Sequence, residues 1–228
     1  MRDNKEPTAH KSRELLRLEI FSDGVFAIAI TLLILEVIQT LHSGSRLPLR
    51  QLLQENWKSI LVFLVGFLTI LICWINHHIV LSYAEKTDGT FFWVNGFVLL
   101  VVTFTPFPTA ILAEYLETES NFALAIFGFN YFMMSVSAYC VAAYVYSKLA
   151  SKEKSELLHY YKLLYKYSIV YTFLVFFICM LSVPLAMLFY VALFIVFALP
   201  KKSASWLLNK KHKKKKRPSR QVPTPRSL

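Results

Sequence analysis

The chain has 228 residues, 56% of them apolar and 17% charged, with a formal net charge of +11 and a mean hydropathy of +0.47. These values lie outside the range of soluble globular domains, and the apolar residues fall in long runs divided by short charged loops, so the class is a polytopic membrane protein. The basic excess argues against a nucleic-acid binder, because it sits in the tail and in loops flanking apolar spans, where the positive-inside bias puts it.

With about 20 residues per crossing as the yardstick, hydropathy predicts six helices over 19–41, 57–82, 91–113, 121–147, 160–182 and 184–199. The N-terminal segment does not read as a signal peptide: a long polar stretch precedes a span that has no small-residue cleavage pattern. The first span is therefore expected to be retained.

At the mouth of that span stands Arg17-Leu18-Glu19-Ile20-Phe21-Ser22-Asp23. An ionised side chain deep in a bilayer costs roughly 2.5 to 3.5 kcal/mol on insertion scales, so Arg17 and Asp23 require compensation. Beyond them, Ile28, Leu32 and Leu35 follow at i, i+4 and i+7 on one stripe, and Asp23 lies about 140° away from Ile28 around the helix. Glu36 comes about 20 Å farther along the axis than Asp23, at the outer mouth.

The second span runs back, which places Trp74, Asn76, His77 and His78 near its cytoplasmic end, and the third span begins at that side with Trp93 and Asn95. Arg17, Phe21, Ser22 and Asp23 lie at similar depth. Since unpaired polar groups are costly in hydrocarbon, the expectation is a network in which Asp23 accepts from a histidine or asparagine and Arg17 bonds carbonyls or stacks on Trp74. A packing clasp and a gating or pH-sensing role both fit these residues. A metal site does not fit well: His77 and His78 point about 100° apart on a helix, and Cys73, Cys140 and Cys179 fall in three different spans without paired spacing. No cofactor is expected.

The third span carries Pro106 and Pro108, whose missing donors should kink it. From Tyr167 to Leu199 the chain is almost unbroken apolar, so one long span or two short ones fit hydropathy alone. Charge decides. Arg2, Lys5, Lys11, Arg13 and Arg17 precede the first span, and the tail beyond Leu199 includes the run Lys213 to Arg217. Both ends then belong in the cytoplasm, the number of crossings is even, and Pro184 is where the run breaks. The basic loop from Lys148 to Lys162 falls inside and the loop with Glu114, Glu117 and Glu119 outside; Arg46 and Arg50 run against the rule. The domain reading is a six-helix membrane unit over 1–200 and a basic tail over 201–228, left disordered by its composition. The lysines of that tail anchor the topology or bind anionic lipid.

The string Arg17-x-x-x-Phe21-Ser22-Asp23-Gly24-Val25-Phe26-Ala27-Ile28 resembles the opening of the transmembrane protein 175 family, the lysosomal potassium channel and its bacterial homologues. Trp74-Ile75-Asn76-His77-His78, and Asn95 followed by Thr105-Pro106-Phe107-Pro108-Thr109-Ala110, resemble the later signatures of the same family, so the likeness covers roughly residues 13 to 115. The resemblance implies an all-α cation channel without a Thr-Val-Gly-Tyr-Gly carbonyl filter, a sequence that does not occur here. It further implies that the first helices line a central pore with rings of Ile28, Leu32 and Leu35 as its constriction and Thr31 as the nearest polar group. Lysosomal members carry two six-helix repeats per chain, whereas this sequence has one, so a homotetramer follows by analogy.

On that reading the permeant species are potassium and other monovalent cations, with potassium favoured modestly by its lower cost of dehydration, and Glu36 either concentrates cations at the outer mouth or is a solvated helix-end carboxylate. A single repeat without recognisable lysosomal sorting signals suggests a prokaryotic plasma membrane. Two alternatives remain. One is proton permeation through the same pore, and the other is a proton-coupled secondary transporter built on Asp23 and His77, although no interrupted pair of spans marks a transporter site. An enzyme is not expected, because no helix supplies a nucleophile with its base, a metal pair or a carboxylate pair at one depth.

Overall fold

The computed structural model describes residues 13–43, 48–150 and 155–198. The basic tail over 201–228, with the lysines read as a topology anchor or lipid contact, and Arg46 lie outside the described residues. Every regular element described is helical: α1 (Arg13–Ser43), α2 (Leu49–Glu55), α3 (Trp57–Leu81), α4 (Gly89–Phe104), α5 (Pro106–Tyr115), α6 (Ser120–Tyr144), a π-helical turn (Val145–Leu149), α7 (Ser155–Leu181) and α8 (Val183–Ala198).

The first helix buries Leu15, Leu18, Ser22, Phe26, Ala29, Leu33 and Val37, a stripe spaced by threes and fours. Leu15 and Leu18 extend that stripe toward the N-terminus, and α1 is already helical at Arg13, upstream of the predicted 19. Leu158, Tyr161 and Tyr165 do the same for α7, which is already helical at Ser155, upstream of the predicted 160. The short α2 was not foreseen from hydropathy; Leu49, Leu52 and Leu53 give it one apolar edge, and Leu52 is buried.

The third span breaks where the prolines predict. Pro106 lacks an N–H, so the carbonyl of Val102 has no partner from it and instead accepts from the Thr105 amide at 3.1 Å. The Thr105 hydroxyl donates to the Val101 carbonyl, and Asn130 Nδ2 of α6 donates to that same hydroxyl oxygen at 3.0 Å. The bend between α4 and α5 is thus closed by side chains, as backbone groups in hydrocarbon require.

Ser182 separates α7 from α8, next to Pro184 as charge and hydropathy together predict. Its own N–H still donates to the Ile178 carbonyl at 2.9 Å. Among the described residues five helical stretches are long and apolar enough to cross a membrane, namely α1, α3, the α4–α5 pair, α6 with its π turn, and α7; α8 is apolar but shorter. At 1.5 Å per residue its 16 residues reach about 24 Å.

Helix α6 lies at the centre, packed against α3, α4, α5, α7 and α8, with its largest contact on α7. Helix α1 sits at the edge, against α3, α4 and α5. Many large apolar side chains, including Leu64, Leu100, Phe173, Leu181 and Leu188, remain uncovered, which suits lipid rather than water. Trp57 and Trp93 are uncovered at the starts of α3 and α4, and indole rings favour the membrane interface.

In lipid, burial of apolar surface drives little helix association, and close packing with interhelical hydrogen bonds takes over. Gly66 faces Thr109, whose Cγ2 would lie 2.9 Å from an added Cβ, and at Gly128 an added Cβ would overlap the Tyr190 hydroxyl. Gly128→Val should therefore pry α8 from α6 and cost about 1–3 kcal/mol, whereas Gly96→Ala, inside α4 and meeting nothing within 4 Å, should be neutral to stabilising by up to about 1 kcal/mol. Thermal unfolding of the detergent-solubilised chain measures both.

Outside the spans, Asp88 caps α4: its Oδ1 accepts from the Phe91 amide at 2.9 Å, and the Tyr144 hydroxyl donates to the carboxylate, 2.9 Å from each oxygen. The Phe91 amide first, and then the Tyr144 hydroxyl, hold its pKa below the ordinary 3.8. A lowered carboxylate pKa stabilises the fold above the unfolded value, and the contribution disappears as pH falls through the folded one. The wild-type melting temperature should thus drop below about pH 3.8 more than that of Asp88→Asn, as a pH series of melting curves will register.

Candidate functional site

Ser22 of α1 is fully buried, and its hydroxyl donates to the Leu18 carbonyl one turn back at 2.8 Å. Its single hydrogen is thereby used, so the oxygen can only accept from elsewhere. Asn95 Nδ2 of α4 supplies that bond at 2.9 Å. This fixes the amide orientation: Asn95 Oδ1 faces His77 Nε2 of α3 at 2.8 Å, and the ring must be protonated at Nε2 to donate. The donors run in one direction, from His77 to Asn95 to Ser22 to the α1 backbone, and Phe26 packs on the imidazole with ring centroids 5.3 Å apart.

On the other flank of α1, Asp23 Oδ1 accepts from Trp74 Nε1 at 2.8 Å. The expected partners of Asp23 were a histidine or asparagine, but the histidine is taken by Asn95, and the indole reaches the carboxylate from one turn away on α3. Trp74 also packs against His78, at 5.9 Å between rings. Arg17 is exposed, and among the described residues neither a stack on Trp74 nor a hydrogen bond of its guanidinium is present. It lines a crevice between α1 and α4 with Glu14, Phe21, Phe92 and Asn95.

Asn76 is buried at the same level but stands apart from that chain. Its Nδ2 donates to the Ile72 carbonyl at 2.8 Å and to the Phe197 carbonyl in the last turn of α8 at 3.1 Å. Five of the eight residues grouped by sequence, Ser22, Asp23, Trp74, His77 and Asn95, therefore form the α1 seam, while Arg17 and Phe21 are exposed and Asn76 serves α8 instead. Sequence reasoning also missed the mid-span link of Asn130 to Thr105 and the hydrogen bond between Thr69 and Tyr131. Both polar pairs were visible as residues within apolar runs, but nothing in the pattern paired the α4–α5 bend or α3 with α6.

With its inner stripe pinned, α1 presents the remainder outward. Ile28 is 59% exposed, Leu32 42% and Leu35 46%, and Phe21 continues the same face. Thr31 is exposed as well, and its hydroxyl donates to the Ile28 carbonyl at 2.9 Å. A second uncovered flank carries Ile20, Ile34 and Ile38. The backbone of Glu36 belongs to α1, whereas its side chain lies outside the described residues. Among the described residues no group of three or more His, Cys, Asp or Glu side chains is placed to hold a metal ion.

An all-helical bundle with several apolar spans and a seam of buried hydrogen bonds at one level is an integral membrane protein. A family profile described as the endosomal/lysosomal potassium channel TMEM175 matches residues 17–106. In the crystal structure of a lysosomal potassium-selective channel TMEM175 homolog from Chamaesiphon minutus, the similarity covers 82% of this chain and 97% of that one, with a TM-score of 0.71 and 34% identity. The chain belongs to the TMEM175 family.

Among curated relatives, a potassium channel of Chamaesiphon minutus is 50% identical over 109 residues, or 47% of this chain and 54% of the relative. One of Streptomyces collinus is 46% identical over 113 residues, covering 49% and 54%. The endosomal/lysosomal proton channel TMEM175 of Gallus gallus is 30% identical over 112 residues, covering 46% of this chain and 22% of the relative. The chain thus spans about half the length of the two bacterial relatives.

The hydrogen-bond chain discriminates between its members. Asn95→Leu strands the His77 donor and one Ser22 lone pair, and should cost about 2 kcal/mol, since a buried unsatisfied group costs roughly 1–3. Asp23→Asn keeps an oxygen for Trp74 and should cost less than about 1 kcal/mol. Melting curves of the two variants in the same detergent rank them, and an equal loss would contradict the unequal roles.

Proposed function

We propose that the chain is one subunit of a potassium-preferring cation channel, with the aliphatic face of α1 as its constriction. The observation that carries the reading is the uncovered stripe of Ile28, Leu32 and Leu35, directly beyond a seam that fixes the rotation of α1. An apolar face of this kind has two natural neighbours, lipid and other copies of itself. Ser22 and Asn95 hold that face on the side opposite the bundle core, where first helices from several subunits can meet.

In this reading four copies assemble about a central axis, each with six crossings, the sixth made by α8, and with both termini in the cytoplasm of a prokaryotic plasma membrane. Each named position becomes a fourfold ring. A narrow ring of isoleucine or leucine resists wetting, so it closes the pore without a separate plug, and conduction requires the rings to widen or rotate. Such a constriction strips water from the ion without replacing it. Potassium gives up its hydration more readily than sodium, so the preference for potassium is moderate. Thr31 is the nearest polar group to the rings, Glu36 concentrates cations at the outer mouth, and the basic tail rests on anionic lipid. The seam of Ser22, Asn95, His77, Asp23 and Trp74 holds the stripe in place and does not touch the ion.

A second reading, proton permeation through the same constriction, is favoured by the Gallus gallus relative, which is named a proton channel. Planar-bilayer recordings of the purified chain under a potassium-to-sodium gradient, repeated under a proton gradient, separate the two by reversal potential. Strictly coupled flux without single-channel steps would rule out both.

Within the channel reading, Ile28→Asn or Leu35→Ala should raise resting conductance by about threefold or more by easing the wetting of the ring, with little change in melting temperature. Arg17→Ala and Asp23→Asn should lower open probability or assembly at nearly constant permeability ratio. If conductance is indifferent to Ile28 and Leu35 while the ratio shifts in Asp23→Asn, the permeation path runs along the seam instead.

A further inference from the structure

The proposed constriction begins at Ile28, but the uncovered face of α1 continues past it. Followed back toward the N-terminus, that face carries Gly24, Phe21, Arg17 and Glu14, all exposed. Arg17 precedes Ile28 by 11 residues, three turns and about 20°, so it stands on the same line of the helix, about 16 Å from the first ring. Glu14 lies about one turn farther out, about 40° to the other side of that line, and Arg13 follows at about 60°.

The other charges of this segment point elsewhere. Around the helix, Glu19 lies about 180° and Asp23 about 140° from Ile28, and Asp23 is bonded to Trp74. Helix α4 contributes Phe92, Asn95, Gly96 and Leu99 to the crevice beside Arg17, none of them charged. Among the described residues the Arg17 guanidinium has neither an ion pair nor a hydrogen bond. Arg17 is thus the charge nearest the rings on this side of the face, and with Arg13 it outweighs Glu14.

An arginine stays protonated at any working pH, so its charge is fixed. In a water-filled mouth such a charge acts over a Debye length, about 8 Å at physiological ionic strength and about 30 Å at 0.01 M salt. Four copies around an axis add their potentials, and a cationic mouth depletes the cations that gather to enter it. Exit is less affected, because an ion leaving the constriction does not depend on the cation concentration outside.

We infer that Arg17 forms a cationic ring at one mouth of the pore and makes conduction directional: cations enter less readily from the Arg17 end than from the opposite end. The inference rests on the channel reading, to which it adds a residue that sets the direction of easier flow without touching the rings.

Single-channel recordings of the full chain in planar bilayers, in symmetrical KCl of about 0.01 M, test it. Arg17→Cys removes the charge, and a membrane-impermeant thiol reagent added to one chamber restores it as a trimethylammonium or reverses it as a sulfonate. The chamber from which the reagent acts identifies the Arg17 end. The trimethylammonium should lower the open-channel current entering from that end by about twofold or more and spare the reverse current, and the sulfonate should raise it. Both effects should fade at about 1 M KCl, where the Debye length is about 3 Å. The response is read against wild type, whose Cys73, Cys140 and Cys179 are native, and open-channel current is independent of open probability. Glu14→Cys with the same reagents serves if Arg17→Cys does not assemble. An equal change in both directions, or no change once mass spectrometry shows the cysteine modified, would overturn the inference and leave the channel reading intact. Wild-type protein without single-channel steps would overturn both.

Discussion

Hydrocarbon offers no hydrogen bonds, and that single constraint sets the rotation of α1. Ser22 has one hydrogen, and the Leu18 carbonyl takes it. Every later step follows from that: Asn95 must donate to Ser22, its oxygen must face His77, and the imidazole must carry its proton on Nε2. Turning α1 by one residue would move Ser22 about 100° away from Asn95 and leave the buried Asn95 Nδ2 donor unpaired. The buried stripe from Leu15 to Val37 adds shape to what the hydrogen bonds impose in angle.

Because α1 touches only one side of the bundle, fixing its rotation also fixes what it offers to the outside. The stripe of Ile28, Leu32 and Leu35 stands to one flank and Ile20, Ile34 and Ile38 to the other. Two uncovered flanks on one edge helix suit a helix that meets neighbours on both sides about an axis, which is the geometry the proposed pore requires. The rest of the bundle supplies rigidity behind it. Helix α6 packs on five others, the α4–α5 bend is tied to it through Asn130, and Gly128 admits the Tyr190 hydroxyl where any side chain would intrude.

Much of this was legible from residue order. Pro106 and Pro184 announced the two helix breaks because a missing N–H has the same consequence in any fold. Ser22, His77 and Asn95 were placed at one depth because span ends and direction of travel are functions of hydropathy and charge. Their pairing was not legible: Asp23 and Ser22 are adjacent, both can accept, and only the positions of α3 and α4 around α1 give Trp74 to one and Asn95 to the other. Asn76 was grouped with its neighbour His77, yet a 100° turn sends it to the end of α8. Arg17 was expected in the seam and stands outside it, since a position at the right depth says nothing about which way a side chain faces.

The sequence by itself determined the class, the family signatures, the approximate limits of the apolar stretches and the level of the polar layer, because length, hydropathy and proline chemistry act locally along the chain. Only the tertiary structure decided which polar groups meet and which face of α1 is left bare. Those depend on the angular placement of helices around one another, and that is set by the sum of packing and hydrogen bonding over residues far apart in the chain.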